Sequence, residues 1–403
     1  MRDLPAYPFA RRAAVLAAAL AALLATVPVR AQAPAQIQVS APHAILIDFD
    51  SGTVLYAKAA DVPTPPASMS KLMTMAVVFR ELKNGDLKLT DQIPISEYAW
   101  RRGGAPAGGS AMFAAIHSRV PVPDLLRGAI VQSGNDATIA FAEAIAGNEL
   151  AFSEKMNALA RELGLTNSTF RNASGLHDPD QKASVRDLAK LAVHIIRNYP
   201  EHYKIFGERE FTWNKIRQQS RNPLLALSLG ADGLKTGFIK ESGYGIVGSA
   251  GQGGARLIVA INGTRSEKER IDDARRLLEW GFRAFDSRLL FREGTTVGEA
   301  RVFGGDRRYV PLMGAGAIRL LSQRGTADRL LVRVAYTGPL RPPIAQGAEV
   351  ARLKVMRGNA VALDVPLYAA VDVGEGSLTQ RALDGAFELA GGLVRSGLDQ
   401  IKR

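Results

Sequence analysis

The segment from Ser70 to Leu82 constrains the fold of this chain more strongly than any other stretch. Its apolar residues recur at helical spacing and leave almost no polar face: Leu72, Met73, Met75, Ala76, Val77, Phe79 and Leu82. A helix that is apolar nearly all round is buried, because a surface helix carries only one apolar stripe. A proline-rich approach ends just before Ser68, and proline is common at helix starts. The sequence therefore predicts a buried central helix with Ser68 at its N-terminus.

Ser68 and Lys71 are three residues apart at the start of this helix. Residues at this spacing share a helix face, so the hydroxyl and the amine can form a hydrogen bond. The lysine can accept the serine proton only if its pKa falls well below that of a free amine, which requires burial or a second cation nearby. Ser-x-x-Lys is common by chance. The rest of the chain must therefore supply that cation, an oxyanion hole and a path for the proton.

The N-terminal residues have the layout of a secretory signal peptide. Arg11 and Arg12 precede an apolar run over residues 13–27, which is followed by small residues suited to cleavage after Ala31, Ala33 or Ala35. The run is too short to span a bilayer comfortably as a mature helix. We therefore expect a signal peptide over residues 1–33 and an exported protein that resides in the periplasm.

Charge and composition exclude several classes of function. The 51 Lys and Arg residues exceed the 39 Asp and Glu residues, but they are scattered and are not interleaved with aromatic residues as in a nucleic-acid-binding surface. The chain has no cysteine, and its five histidines lack the spacing of metal ligands. The sequence thus predicts no metal site, no cofactor and no nucleic-acid partner.

The order of predicted elements indicates an α+β catalytic domain over residues 36–287. Two strands at 44–50 and 53–57 precede a helical middle, and antiparallel strands at 233–238, 244–250 and 255–261 follow it. Such an order predicts a sheet whose strands come from both ends of the domain. Between them, residues 100–111 are predicted to form a flexible, glycine-rich surface loop.

The predicted secondary structure changes to short strands at about residue 289. Short β-type runs with turn signals predict a small, β-sandwich-like domain over residues 289–376. Residues 378–403 carry an apolar stripe at helical spacing, which predicts an amphipathic C-terminal helix. This helix either lies in a membrane interface as a peripheral anchor or caps the domain.

Three short motifs occur in a fixed order along the chain: Ser68-x-x-Lys71, Ser133-Gly-Asn135 and Lys235-Thr-Gly237. They are the three motifs of penicillin-binding proteins and β-lactamases. From about residue 38 to residue 285, the chain resembles the low-molecular-mass penicillin-binding proteins, the D-alanyl-D-alanine carboxypeptidases. Further matching blocks lie at 65–74, 124–137, 170–176, 184–189 and 232–238. The resemblance implies a β-lactamase/transpeptidase-like domain, in which a helical subdomain lies beside an antiparallel sheet.

The resemblance implies a role for each motif residue. Ser68 is expected to be the nucleophile and Lys71, kept neutral by burial and by the Lys235 cation, its base. Ser133 is expected to carry the proton from Lys71 to the leaving amine. Asn135 is expected to hold the substrate amide.

The third motif is expected to bind the other end of the substrate. Lys235 and Thr236 suit a terminal carboxylate, with assistance from Arg221, and Gly237 lets the strand approach the substrate closely. The oxyanion hole is expected to use the backbone N–H groups of Ser68 and Phe238. Phe238 stands where some relatives carry His or Thr, which leaves the side-chain preference of the substrate open.

The expected reaction is removal of the terminal D-alanine from peptidoglycan pentapeptides, with β-lactam antibiotics as inhibitors. Three alternatives remain open: a D-Ala endopeptidase on the same scaffold, a class A β-lactamase, and a non-catalytic cell-wall-binding module. A class A β-lactamase needs a deacylating carboxylate in a Glu-x-x-Leu-Asn loop. The nearest match begins at Glu162 and has Thr166 at the asparagine position.

Overall fold

A computed structural model describes residues 37–325, 329–358 and 360–382. The predicted signal peptide lies outside the described residues. Of the predicted C-terminal helix, residues 378–382 are helical and the rest lies outside the described residues. In the part of the chain that is described, no helix is both long enough and apolar enough to cross a membrane.

Eight α-helices lie between residues 37 and 285, ahead of the helical residues 378–382. They are α1 (Lys71–Asn84), α2 (Glu97–Gly103), α3 (Val122–Ile130), α4 (Asn135–Ala146), α5 (Glu149–Glu162), α6 (Val185–Asn198), α7 (Pro200–Tyr203) and α8 (Glu267–Ala284). Short 3-10 helices lie at Ala67–Ser70, Ala105–Ala107, Lys204–Gly207 and Pro223–Ala226.

The strands of the first half are β1 (His43–Asp48), β2 (Val54–Lys58), β3 (Gln92–Pro94), β4 (Arg119–Pro121), β5 (Glu210–Trp213), β6 (Ile216–Gln219), β7 (Ala231–Ile239), β8 (Gly243–Gln252) and β9 (Ala255–Thr264). Those of the second half are β10 (Phe285–Phe291), β11 (Gly298–Arg301), β12 (Tyr309–Met313), β13 (Ile318–Gln323), β14 (Leu330–Ala335), β15 (Glu349–Arg357) and β16 (Ala360–Ala369).

The main sheet joins the two ends of the catalytic part of the chain, as the sequence predicts. Its strand order is β2-β1-β9-β8-β7 and all of its pairs are antiparallel. Helix α6 packs on one face and α8 on the other, so β1 and β9 are buried on both sides. This double burial explains why both strands are continuous apolar runs rather than alternating ones. Strand β7 lies at one edge of the sheet.

Helix α1 is the buried helix that its composition predicts. All its residues from Lys71 to Phe79 are buried, and it packs against α4, α5 and α6. The predicted N-terminus needs a correction, because Ser68 lies in the 3-10 turn Ala67–Ser70 and the α-helix begins at Lys71. Ala67 has a φ of +49°, which an α-helix does not allow. Ser68 is therefore held by a turn that precedes the helix.

Residues 100–111 are more ordered than a flexible surface loop. The first part belongs to α2, whose N-terminus is capped by Ser96, and Ala105–Ala107 forms a 3-10 turn. Ser110 accepts a hydrogen bond at its carbonyl from the backbone N–H of Asn135, at 2.8 Å. This segment is thus attached to the start of α4.

The all-β part of the chain follows α8 without a linker, because β10 begins at Phe285. A five-stranded sheet has the order β11-β12-β16-β15-β14, and β10 pairs with β13. The two enclose a core of their own, which includes Val310, Leu320 and Leu353. The sequence places the boundary between the two predicted domains at residues 287–289, which lie within β10. The domain boundaries stay predictions.

Candidate active site

Ser68 lies on a turn that two glycines from other elements approach closely. A Cβ atom on Gly237 would lie 2.8 Å from the carbonyl oxygen of Pro66. A Cβ on Gly175 would overlap the carbonyl of Ala67, and the φ of Gly175 is +78°. Strand β7 and the loop before α6 therefore reach the Ser68 turn only because both residues are glycine. Gly237 thus gives room to this turn, and its close approach to the substrate stays a prediction.

Lys71 is 1% exposed, and its amine lies within hydrogen-bond distance of three oxygen atoms. Its Nζ atom lies 3.0 Å from Ser68 Oγ and 2.7 Å from Asn135 Oδ1, and it also contacts the carbonyl oxygen of Ser174. Burial lowers the pKa of Lys71 to about 7, although the carboxylates of Asp136 and Glu149 oppose this shift. Near neutral pH a substantial fraction of the amine is thus neutral and able to accept a proton from Ser68.

Lys235 lies on β7 and is 2% exposed. Burial lowers its pKa well below that of a free lysine, and the positive charges of Lys71 and Arg221 lower it further. Burial is thus the main cause of the lowered pKa of both lysines. A carboxylate placed beside Lys235 would favour its charged form again.

Ser133 and Asn135 lie at the start of α4. Ser133 has a φ of +66° and is 3% exposed, and within the described residues its Oγ atom has no hydrogen-bond partner. Its hydroxyl is therefore available for another group, and its role in proton transfer from Lys71 to the leaving amine stays a prediction. Asn135 instead contacts Lys71 directly through its side-chain oxygen.

Of the remaining predicted residues, Thr236 and Phe238 lie on β7, and Arg221 lies in the loop that follows β6. Thr236 donates a hydrogen bond to the carbonyl of Arg221 at 3.4 Å, and the N–H of Arg221 is bonded to Val131 at 3.0 Å. Arg221 is thereby placed beside Lys235 and is itself exposed to solvent. Phe238 is 49% exposed, and its ring stacks on Tyr244 with a centroid distance of 4.2 Å.

Three groups that sequence reasoning missed complete the site. The carbonyl of Ser174 accepts from Lys71, and the preceding Ala173 is held by Glu149 at 3.1 Å. The buried carboxylate of Asp136 accepts from the N–H groups of Met112 and Ala137, both at 2.9 Å. The block 170–176 and the residue after the Ser-Gly-Asn motif were the available signals, but a backbone carbonyl leaves no trace in a sequence.

Glu162, the nearest match to a β-lactamase deacylating residue, lies on the surface. Its carboxylate is paired with Arg80 at 2.9 Å, and its side chain is 59% exposed. Glu162 therefore does not reach Ser68. The interpretation as a class A β-lactamase is left without a deacylating carboxylate.

Comparison with known proteins identifies the family of this chain. Residues 29–266 match the family described as D-alanyl-D-alanine carboxypeptidase, Peptidase S11, and residues 285–375 match the C-terminal domain of penicillin-binding protein 5. The D-alanyl-D-alanine carboxypeptidase DacC of Escherichia coli (strain K12) is 39% identical over 84% of this chain and 86% of its own length.

Solved structures agree with that match. Penicillin-binding protein 5 from Haemophilus influenzae has a TM-score of 0.71 at 37% identity, over 84% of this chain and 99% of that one. Penicillin-binding protein D2 from Listeria monocytogenes, in its ampicillin-bound form, has a TM-score of 0.53 at 30% identity, over 61% of this chain and 98% of that one. Taken with the family matches, these likenesses show that this chain belongs to the D-alanyl-D-alanine carboxypeptidase family and is a serine-type D-Ala-D-Ala carboxypeptidase.

Proposed function

We propose that Ser68 forms an acyl-enzyme with peptidoglycan stem peptides and releases their terminal D-alanine. The observation that carries this proposal is the 3.0 Å hydrogen bond between Lys71 Nζ and Ser68 Oγ, at a lysine whose pKa is about 7. Neutral Lys71 accepts the Ser68 proton while Oγ attacks the carbonyl carbon of the penultimate residue. The backbone N–H groups of Ser68 and Phe238 stabilise the oxyanion, each contributing about 3 kcal/mol.

The leaving amine then needs a proton. The buried hydroxyl of Ser133, free of other partners among the described residues, passes it from Lys71 to the D-alanine nitrogen. The C–N bond breaks and free D-alanine departs. A water molecule attacks the ester and gives its proton to Lys71. Lys71 passes this proton to Ser68 Oγ as the C–O bond breaks, and the shortened peptide leaves.

The terminal carboxylate of the substrate binds at Lys235 and Thr236, with Arg221 at the exposed side. This placement follows from the charges, because Lys235 is buried beside other cations and has no acidic partner among the described residues. Binding of the carboxylate favours the charged form of Lys235. Asn135 holds the substrate amide when its side chain turns from Lys71.

The same site takes β-lactam antibiotics, which acylate Ser68 and act as inhibitors. Support comes from the ampicillin-bound relative described above, whose fold is shared by the catalytic part of this chain. The chain is exported by a signal peptide over residues 1–33 and acts in the periplasm. We further propose that the amphipathic helix predicted from the sequence over residues 378–403 makes peripheral contact with the outer face of the inner membrane.

The direct test is the release of D-alanine from a defined peptide ending in D-Ala-D-Ala, together with labelling by a fluorescent penicillin. We expect both in the wild type and neither in Ser68→Ala. A protein that labels but releases no D-alanine is a binding module, and rapid hydrolysis of nitrocefin would make it a β-lactamase. Preferential cleavage of cross-linked over linear peptides would favour the endopeptidase.

A further inference from the structure

A groove of about 650 Å³ begins where the proposed active site ends. It lies beyond the Lys235-Thr-Gly237 motif, at the turn between β7 and β8. The residues that matter here are Phe238, Lys240, Glu241, Ser242, Tyr244 and Arg265. Phe238 belongs to both regions, because its backbone N–H is proposed to form part of the oxyanion hole and its exposed ring lines the groove.

The groove has the features of a site for a polar ligand. The stacked rings of Phe238 and Tyr244 form an apolar wall. The hydroxyl of Ser242 is buried and, among the described residues, has no hydrogen-bond partner. Such an unpaired group is costly in a folded protein unless a ligand or water satisfies it.

The groove carries an excess of positive charge. Lys240 and Arg265 are exposed, and within the described part of the chain neither side chain forms an ion pair, although the backbone N–H of Arg265 donates to the carboxylate of Glu269 at 3.0 Å. The single acidic side chain of the lining, Glu241, lies 3.8 Å from the ring nitrogen of His177. Two cations therefore remain for a ligand that brings its own negative charge.

The direction of the substrate follows from the proposed function, on which this inference rests. With the terminal carboxylate at Lys235 and Thr236 and the cleaved carbonyl opposite Phe238, the rest of the peptide continues towards Lys240. Strand β7 is at the edge of its sheet and can pair with an extended peptide. Both chains rise about 3.3 Å per residue, so Lys240 lies about two substrate residues beyond the cleaved bond.

We propose that this groove binds the acyl-side end of the peptide and selects substrates that carry a carboxylate two or three residues before the cleaved bond. Lys240 and Arg265 are the specificity-determining residues, and the Phe238–Tyr244 wall packs against the aliphatic part of the acidic side chain. The exposure of both cations makes the selection modest and sensitive to salt.

The test compares two matched peptides ending in D-Ala-D-Ala that differ only by Glu or Gln two residues before the cleaved bond, and a second pair with the change three residues before it. For one of the pairs we expect the wild type to show a kcat/KM roughly three- to tenfold higher with Glu, from two exposed ion pairs. In the double variant Lys240→Gln/Arg265→Gln, the ratio should fall to about one. Raising the ionic strength from about 0.01 to 0.5 M should lower the wild-type ratio.

Lys268→Gln is the matched control, since it removes one exposed positive charge from α8 outside the groove. It should keep the wild-type ratio, and labelling by fluorescent penicillin reports that each variant is folded. Equal kcat/KM values for Glu and Gln in both pairs, or a preference unchanged in the double variant, overturn the groove proposal alone. A wild type that releases no D-alanine from any peptide overturns the proposed function, and this inference with it.

Discussion

The amine of Lys71 lies 3.0 Å from the hydroxyl of Ser68, although the two residues belong to different elements, the 3-10 turn Ala67–Ser70 and helix α1. Burial keeps the pKa of Lys71 near 7, so this contact couples a nucleophile to a base that works at neutral pH.

The rate of acylation should depend on pH through Lys71. Only the neutral amine accepts the Ser68 proton, so the rate rises with pH and levels off above a pKa of about 7. One pH unit below that value, at about pH 6, the rate should be about tenfold below the plateau. The second-order rate constant for acylation by a penicillin, measured from pH 5 to 9, gives the curve.

The matched variant is Lys71→Arg, which keeps the positive charge but cannot act as a base at these pH values. We expect acylation to fall by about 10²–10⁴-fold, with no rise near pH 7. A wild-type profile that is flat between pH 6 and 9 would contradict the role of Lys71 as base.

Ser133→Ala should separate catalysis from stability. The Oγ atom of Ser133 is buried and has no partner among the described residues, so its loss removes no hydrogen bond from the fold. We expect the free energy of unfolding to change by less than about 0.5 kcal/mol or to increase, because an unsatisfied polar group is removed. D-Alanine release should fall about 100-fold or more.

Urea unfolding and single-turnover assays measure the two effects. Ser153→Ala offers a contrast, since its hydroxyl is also buried but is bonded to the carbonyl of Glu149 at 2.8 Å. That variant should lose stability and keep activity. A large loss of stability in Ser133→Ala would show that its hydroxyl has a structural partner instead.

Asp136→Asn should loosen the segment beside the Ser-Gly-Asn motif. The carboxylate accepts from three backbone N–H groups, those of Met112, Ala114 and Ala137. An amide can accept with only one of its two ends, so a buried N–H faces another donor at a cost of about 1–3 kcal/mol. Urea unfolding should report this loss, whereas Asp178→Asn, at an exposed turn, should change stability by less than about 0.5 kcal/mol. Equal stability of the two variants would contradict this role of the Asp136 carboxylate.

Sequence reasoning reached the elements that side-chain pattern determines. The apolar residues of α1 required a buried helix, and the order of strands required a sheet assembled from both ends. The sequence pattern did not predict the turn at Ala67 or the role of the Ser174 carbonyl. The backbone conformation there is imposed by packing against β7 and the 170–182 loop. Nor did it assign Asn135 to Lys71, since a side chain with a donor and an acceptor fits substrate and lysine equally well.

Gly175→Ala tests whether packing against the Ser68 turn controls the nucleophile. A Cβ there would overlap the carbonyl of Ala67 and lie 2.8 Å from Ser70 Oγ, so the turn must move. Gly164→Ala is the matched control, because Gly164 also has a positive φ, +63°, but has no atom within 4 Å of its Cβ position.

Left-handed backbone costs an alanine about 1–2 kcal/mol at either position. Gly175→Ala should lose about 1–3 kcal/mol more by urea unfolding. Its acylation by a penicillin should also slow by about 100-fold, since a shift of about 1 Å in a reacting group has this effect. If both variants acylate at the wild-type rate, the position of Ser68 does not depend on this contact.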